Sequence, residues 1–387
     1  MVYFHPTIYY VRYSILLRCY RIMLFGKPVN FKLITISVFF TLLFFVQQLI
    51  NLFFRLLDEI LYFKYRAVNI KEPVYIIANP RSGTTYLHRL VSLDDNRFAY
   101  MKFLHTLFPS VSFIKLTHLI SKIDKKAGGH VTRLLDKAAE KLFSGWDEIH
   151  NMGFNKAEED EAPFALSLTS VGVFLLFPYL HLFKDTWILD NESESVKKDL
   201  MLYYSNCIKR FMYASGKNKT YLSKNVLMSG RLQTMLEYFP DARIIYIVRN
   251  PYQVLPSFVS MFAVMYRVHS KRLNDNDPAM QAWAEAGMAF YLNFYKFRNH
   301  IQPGNLVTLK YNDFIKAPVE TVEHIYNHFG LAISELLKDK LTAAVYENRH
   351  FKSKHAYSLE QYGLSKNDIA EKLKVIFDEF GFEAPSE

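Results

Sequence analysis

Cysteine is scarce in this chain, because only Cys19 and Cys207 occur among its 387 residues. Two cysteines are too few for a disulfide framework, and they lack a metal-ligand spacing such as Cys-x-x-Cys. The 13 histidines form no His-Glu-x-x-His motif or comparable cluster. We therefore expect no bound metal, and the shortage of cysteine modestly favours a reducing compartment.

Acidic residues are absent from residues 1–57, which sets this segment apart from the rest of the chain. Its basic residues are Arg12, Arg18, Arg21, Lys27, Lys32 and Arg55. Leu33 to Phe54 carries no charge, and as a helix it would be about 33 Å long, enough to cross a bilayer core of about 30 Å. A basic, acid-free segment of this kind is typical of contact with an anionic membrane surface.

A polar stripe complicates the interpretation of this segment as a membrane span. Its members, at three- and four-residue steps, are Gln47, Gln48, Asn51, Arg55, Asp58 and Glu59. An interfacial anchor, a re-entrant hairpin, a true span and a helix docked on the protein's own core all fit this pattern. We divide the chain into a hydrophobic, basic membrane-associating segment, 1–69, and a globular domain, 70–387.

The loop after the first predicted strand lacks the Gly-x-x-x-x-Gly-Lys-Ser/Thr pattern, so a magnesium-dependent kinase or GTPase is poorly supported. Val74 to Ala78 predicts a strand, and a helical pattern begins after Gly83. Gly83 allows close approach of a ligand to the backbone, and the first amides of the helix point towards an anion. Arg81 would supply positive charge. This segment therefore predicts a phosphate cradle.

Strands alternate with helices along the rest of the domain. Further strands are predicted at 220–223, 243–248 and 306–310. The alternation predicts an α/β fold in which helices flank a parallel sheet. Ligands of such sheets bind at the carboxyl ends of the strands, where both Arg81 and Arg249 are expected.

Two segments together resemble the PAPS-dependent sulfotransferases, P-loop-like enzymes that use 3′-phosphoadenosine 5′-phosphosulfate (PAPS). Pro80 to Thr85 matches the family's 5′-phosphosulfate loop, in the branch with arginine rather than lysine, and Phe239 to Ser257 matches its 3′-phosphate segment. The resemblance covers about residues 72 to 375. Either motif alone is weak, whereas the ordered pair, each after its own strand, is a strong signal.

The resemblance implies roles for individual side chains. The 5′-phosphosulfate would be held by Arg81, Ser82, Gly83, Thr84 and Thr85, and the 3′-phosphate by Arg249 and Ser257. Lys224 would reach the sulfonate, although Asn225 is followed by Val226 where the family has proline. A basic lid over the nucleotide would contain Arg349, Lys352 and Lys354, for which solvated surface charge is the alternative.

A general base must remove the proton of the acceptor hydroxyl. The acidic run Glu158 to Glu161 offers Glu159 or Asp160, because adjacent carboxylates raise one another's pKa. An acidic helix start is the alternative for this run. His105 lies where cytosolic members of the family place a histidine base, and a structural histidine is its alternative. We favour Glu159 or Asp160.

These patterns predict a membrane-associated sulfotransferase that acts on a hydroxyl of a lipid-like acceptor. A sterol or other amphiphilic alcohol is the leading candidate for that acceptor. The apolar stretch Thr169 to Phe183 either packs in the core or lines a channel for such an acceptor. The alternatives are a carbohydrate sulfotransferase, a nucleotide kinase-like enzyme and a non-catalytic anion-binding protein.

The net charge of +10 fits an anionic cofactor or an anionic membrane surface, and we expect no nucleic-acid partner. Because the cofactor is made in the cytosol, we expect the catalytic domain to face the cytosol, with residues 1–60 holding it to the membrane. A single span with the enzyme in a lumen or outside the cell is the alternative.

Overall fold

The computed structural model describes residues 5–26, 29–134, 137, 158–216, 218–270, 277–348 and 359–383. Its sheet has five parallel strands in the order β2-β3-β1-β4-β5. The strands are β1 (Val74–Ala78), β2 (Phe98–Ala99), β3 (Thr220–Lys224), β4 (Arg243–Val248) and β5 (Leu306–Lys310). The predicted α/β class with a parallel sheet is therefore confirmed.

Helices precede the sheet and connect its strands. The first part of the chain forms α1 (Tyr13–Phe25), α2 (Phe31–Leu61), α3 (Thr84–Val91), α4 (Phe103–Leu107), α5 (Val111–Lys126), α6 (Ala162–Leu166) and α7 (Glu194–Ser215). The later part forms α8 (Leu232–Tyr238), α9 (Pro251–His269), α10 (Pro278–Phe297), α11 (Tyr311–Lys316), α12 (Pro318–His328), α13 (Glu335–Asn348), α14 (Lys366–Lys372) and α15 (Lys374–Phe380).

The two faces of the sheet are buried in different hydrophobic clusters, as the alternation of side chains along a strand requires. From β1, Tyr75 and Ile77 enter a cluster with Tyr204 of α7. Ile76 enters the opposite cluster with Leu87 of α3. β1 is a central strand between β3 and β4, and hydrophobic clusters cover both of its faces, which explains its continuous apolar sequence.

A third hydrophobic cluster joins the N-terminal segment to the domain. Ile15 and Cys19 of α1 pack in one cluster with Phe174, Phe258 of α9 and Trp283 of α10. The stretch Thr169 to Phe183 contributes short 3₁₀ helices at Val171–Leu175 and Leu180–Leu182, and its aromatic side chains Phe174, Phe177 and Phe183 are buried. Its aromatic rings therefore pack in the core.

Candidate active site

The loop after β1 combines left-handed backbone angles and close packing at Gly83 with the N-terminus of α3. Gly83 has φ +79°, and a Cβ at this position would lie 2.9 Å from Cε2 of Tyr311. Arg81 also adopts the left-handed region, with φ +69°, which few residues other than glycine occupy. Thr84 begins α3, so the first amides of this helix face out of its positive end, as expected for an anion site.

Two polar atoms of the same loop are buried without a hydrogen-bond partner in the described part of the chain. They are Oγ of Ser82 and Oδ1 of Asn79. Nδ2 of the same Asn79 side chain donates to the carbonyl oxygen of Gly287 at 2.7 Å, which attaches the loop to α10. Buried polar atoms are normally satisfied, so a ligand or water at Ser82 would complete this loop.

The two predicted phosphate segments are in direct contact. Nε of Arg81 donates to Oγ of Ser257 on α9 at 3.1 Å. Nη1 of Arg249 donates to the carbonyl oxygen of Arg81 at 2.6 Å. The Arg249 guanidinium also lies 4.2 Å from the centre of the Tyr311 ring. The structure therefore brings Arg81, Arg249 and Ser257 together at the carboxyl edge of the sheet.

Lys224 links this loop to the acidic run. It ends β3 and is fully buried, and its Nζ lies 3.2 Å from Oγ1 of Thr85 and 3.1 Å from Oε1 of Glu159. A buried ammonium is costly unless it is paired, and Glu159 provides the pairing carboxylate. Thr85, Lys224 and Glu159 thus form a continuous polar chain beside the positive end of α3.

The four acids from Glu158 to Glu161 have separate environments. Asp160 is buried and accepts hydrogen bonds from the hydroxyl groups of Tyr204 and Tyr221 and from Nδ2 of Asn225. Glu161 forms a bidentate ion pair with Arg231 at 2.6 and 2.7 Å. These contacts attach the acidic run to neighbouring segments of the fold, so Asp160 and Glu161 are suited to structural roles.

Glu158 is the second acid beside Lys224. Burial raises the pKa of its carboxyl group to about 7, the charge of Glu159 raises it further, and Lys224 opposes the shift. A carboxyl group whose pKa lies near neutrality is suited to proton transfer. Glu158 belongs to the acidic run found from the sequence, but its burial depends on residues distant in the chain.

A family model described as "Sulfotransferase family" matches residues 73–335, a range that contains all five strands and every side chain of this cluster. The chain belongs to the sulfotransferase family. The predicted family and the predicted enzyme class, sulfotransferase, are therefore confirmed.

Mycobacterial sulfotransferases are among the proteins to which this sulfotransferase is similar. The omega-hydroxy-beta-dihydromenaquinone-9 sulfotransferase Stf3 of Mycobacterium bovis is 25% identical over 327 residues, or 80% of this chain and 75% of the relative. The crystal structure of sulfotransferase STF1 from Mycobacterium tuberculosis covers 92% of this chain and 89% of its own, with 19% identity and a TM-score of 0.67. That of STF9 from Mycobacterium avium covers 84% and 81%, with 15% identity and a TM-score of 0.66. These structures share the fold.

His105 of this sulfotransferase does not join the cluster around Lys224. It lies on α4, its Nδ1 is 3.4 Å from the amide nitrogen of Lys102, and its ring packs 5.6 Å from that of Phe211. Burial, with a smaller effect of Lys102, lowers the pKa of its imidazole to about 4. These contacts fit a structural histidine.

Other predicted features of the sulfotransferase site lie outside the described residues. The basic lid residues Arg349, Lys352 and Lys354 belong to this group. The expectation of no metal stays a prediction, although within the described ranges no group of three or more His, Cys, Asp or Glu is placed to hold one.

Tyr311 was missed by sequence reasoning, although it lies beneath both Gly83 and Arg249. The signal was available, since Tyr311 directly follows β5 and therefore lies at the same edge of the sheet. His88 was also missed. Its ring is buried on α3, its Nε2 has no hydrogen-bond partner among the described residues, and burial, with the nearby charge of Lys224, lowers its pKa to about 3.

Proposed function

We propose that this sulfotransferase transfers the sulfuryl group of PAPS to a hydroxyl of a lipid-like acceptor. The observation that carries the proposal is the polar chain from Thr85 through Lys224 to Glu159, which connects the anion cradle to a carboxylate. PAPS as donor follows from the paired 5′- and 3′-phosphate segments. The relative Stf3 of Mycobacterium bovis is named as a sulfotransferase of omega-hydroxy-beta-dihydromenaquinone-9, which supports a lipid-like alcohol as the acceptor here.

The residues present fit the phosphosulfate end of PAPS. Three features form a cradle rich in hydrogen-bond donors. They are the Ser82 hydroxyl, which is buried without a partner in the described ranges, the left-handed backbone at Gly83, and the amides at the start of α3. When bound, PAPS would supply an activated sulfuryl group and a phosphate leaving group. Arg81 and Lys224 would hold that end by charge.

Arg249 and Ser257 would hold the 3′-phosphate. A guanidinium offers donors in a planar fork that matches a phosphate, and the Ser257 hydroxyl adds one more bond. Tyr311 supports the Arg249 guanidinium through its ring. The contacts from Arg81 to Ser257 and from Arg249 to the Arg81 carbonyl couple the two phosphate sites, so that one end of the nucleotide helps to order the other.

Glu159 would act as the general base. It is partly exposed, unlike Asp160, and its carboxylate contacts Lys224 beside the cradle. Glu159 would take the proton of the acceptor hydroxyl as the new oxygen–sulfur bond forms. Arg81, Lys224 and the loop amides would stabilise the negative charge that develops on the departing phosphate oxygen as its bond to sulfur breaks. We propose that these steps need no metal.

The proposal is tested by incubating the full-length protein with radiolabelled PAPS and separate panels of sterols, long-chain isoprenoid alcohols, glycans and simple phenols. We expect label in the hydrophobic alcohols, and none with Lys224→Ala. Label in glycans alone would indicate the carbohydrate alternative. Turnover of magnesium-ATP without any sulfuryl transfer would indicate a kinase-like enzyme, and tight nucleotide binding without turnover a binding protein.

A further inference from the structure

Helix α2 has its polar stripe on the inside. Within this apolar helix, Gln48, Asn51, Arg55 and Asp58 are buried, with Arg55 1% and Asp58 0% exposed. A helix docked on a protein core normally buries its apolar face and exposes its polar face. The orientation of α2 is therefore the reverse of that in an ordinary amphipathic surface helix.

The buried stripe is bonded to the catalytic domain. Nε2 of Gln48 donates to the carbonyl oxygen of Leu166 at 2.9 Å, and Nδ2 of Asn51 donates to that of Leu107 at 2.9 Å. The Asp58 carboxylate accepts hydrogen bonds from the amides of Val111 and Ser112 at 2.9 and 2.7 Å. Separating α2 from the domain would leave these groups unpaired in lipid, which is costly.

The start of α2 is also attached to the domain. Asn30 and Lys32 donate to the backbone carbonyls of His269 and Val268, at the end of α9. The Tyr20 hydroxyl of α1 donates to Oγ1 of Thr41 at 2.7 Å. Hydrogen bonds to the domain therefore occur near both ends of the helix, whose 31 residues would measure about 46 Å, well beyond a bilayer core of about 30 Å.

The outward face of α2 is almost wholly apolar. Its exposed side chains include Phe39, Leu42, Phe45, Leu49, Phe53, Leu56 and Ile60. On α5, which packs against α2 through the rings of Phe113 and Phe54, Leu116, Leu119, Ile120 and Ile123 are exposed. On α1, the same holds for Leu17, Leu24 and Phe25. We call this set of side chains on α1, α2 and α5 the apolar face; single exposed apolar residues are common, but an area of this size is not.

Charges beside the apolar face indicate what covers it. The exposed charged residues on these helices and just after them are cationic and include Arg18, Arg21, Lys32, Lys64, Arg66, Lys115, Lys122, Lys125 and Lys126. Arg18 is paired with Asp185 at 3.2 Å. The nearby acids are engaged, because Glu59 pairs with Arg66 and Arg210, and Asp124 accepts bonds from the amides of Val131 and Thr132. An anionic bilayer satisfies both the apolar surface and its basic border. A second copy of the chain would bring like charges together.

We infer that α1, α2 and α5 form a bilayer-docking face and that the protein is monotopic, with α2 lying in the membrane interface and both of its ends on the side of the catalytic domain. The docked leaflet is the cytosolic one, a step that rests on PAPS as the donor, because PAPS is made in the cytosol. Docking needs no sulfotransferase activity, since it depends on this face alone.

Docking also bears on the acceptor, a step that rests on the proposed function. Leu166, which receives the Gln48 bond, ends α6, and α6 begins directly after the acidic run that contains Glu159. The helix in the membrane interface therefore holds the segment that carries the general base. A lipid alcohol would reach Glu159 from the bilayer side of the molecule.

The first test is flotation of the purified full-length protein with sealed vesicles of phosphatidylcholine containing about 30% phosphatidylglycerol. We expect the wild type to float with the vesicles, and Leu49→Glu combined with Phe53→Glu to reduce the bound fraction about tenfold or more. The matched control, Leu336→Glu with Val375→Glu, alters exposed apolar residues outside the face and should float as the wild type does. Sulfation of a water-soluble alcohol should be unchanged in both variants.

Unimpaired flotation of the Leu49→Glu, Phe53→Glu protein would overturn the inference. So would a wild-type protein that forms stable dimers and ignores vesicles. If the double variant lost flotation but the wild type was inactive on every alcohol, docking would be supported and the proposed function refuted. The two failures are therefore distinguishable.

A second measurement addresses the topology without altering the apolar face. His5→Cys and Lys64→Cys place a thiol before α1 and after α2 in the chain, while the native Cys19 and Cys207 are buried and free. In sealed cell-derived vesicles, a membrane-impermeant maleimide should label both variants when the cytosolic side is exposed. Labelling of only one of them, or of both only from the opposite side, would contradict a monotopic protein on the cytosolic leaflet.

Discussion

The carboxyl edge of the sheet and the inner face of α2 both bury charged and polar side chains, but with different partners. At the sheet edge, Arg249 is bonded to the carbonyl oxygen of Arg81, and Lys224 is paired with Glu159. These three cations outnumber the carboxyl groups of Glu158 and Glu159 beside Lys224. On α2, Arg55 donates to the Tyr203 hydroxyl and Asp58 accepts from the amide of Ser112, so both are bonded to the domain. Charge in excess indicates an anionic ligand, whereas charge matched within the fold indicates a structural attachment.

The largest effect is expected at the carboxylate of the sheet edge. Glu159→Gln removes the proposed base, so kcat should fall by roughly 10²- to 10⁴-fold while the affinity for adenosine 3′,5′-bisphosphate changes little. Steady-state rates and calorimetric titration measure the two quantities. Glu161→Gln is the matched control, since this neighbouring acid pairs with Arg231 instead of Lys224. An unchanged kcat in Glu159→Gln would exclude it as the base.

The corresponding change on α2 should act on stability and leave the chemistry intact. Asp58→Asn removes a buried carboxylate that accepts two backbone amides and pairs with Arg210 at 3.3 Å. We expect the free energy of unfolding to fall by about 3 kcal/mol, because a buried Arg210 loses part of its compensation. Denaturant unfolding measures this change. A large loss of kcat in the folded protein would erase the distinction between the two regions.

Arg81 sharpens the comparison, because in the proposed mechanism its guanidinium stabilises the charge that develops during transfer. Arg81→Ala should lower kcat by roughly 10²-fold or more, with a smaller loss of nucleotide affinity. Arg81→Lys keeps the charge but loses the planar fork that reaches Ser257, so we expect partial recovery. Single-turnover kinetics distinguish the transfer step from binding. Equal rates for the wild type and Arg81→Ala would remove Arg81 from the mechanism.

Arg249 separates the two phosphate sites. Arg249→Ala should weaken binding of adenosine 3′,5′-bisphosphate by about 2 to 3 kcal/mol and hardly affect adenosine 5′-monophosphate, which lacks the 3′-phosphate. Isothermal titration calorimetry with both nucleotides gives the comparison. If both nucleotides lost the same affinity, Arg249 would serve the loop that carries Arg81 instead of the 3′-phosphate.

The smallest effect concerns pH. Burial raises the folded-state pKa of Glu158 to about 7, so its contribution to stability is present below the ordinary pKa of a glutamate and is lost as pH rises through about 7. Glu158→Gln, which cannot ionise, should therefore raise Tm by a few degrees at pH 8 and by less at pH 5. Calorimetric scans at both pH values measure this, with the exposed Glu335→Gln as control. A Tm gain that did not depend on pH would contradict the raised pKa.

Much of the cradle could be predicted from the sequence. The apolar run of β1, the glycine at residue 83 and the arginine after β4 depend on local backbone chemistry, which short segments contain. Strand β2 was missed because Phe98–Ala99 is only two residues long and pairs with β3, a strand more than a hundred residues later. Such a pairing leaves no periodic pattern in the sequence.

By itself, the sequence determined the alternation of four of the strands with helices, the loop proposed to accept an anion and the amphipathic character of α2. Only the tertiary structure decided which way α2 faces and which acid of the run meets Lys224. The physical reason is the same in both cases, because the partners that satisfy these polar groups lie far away in the chain. Tyr204 and Tyr221 engage Asp160, Arg231 engages Glu161, and Leu107 and Leu166 engage the stripe of α2.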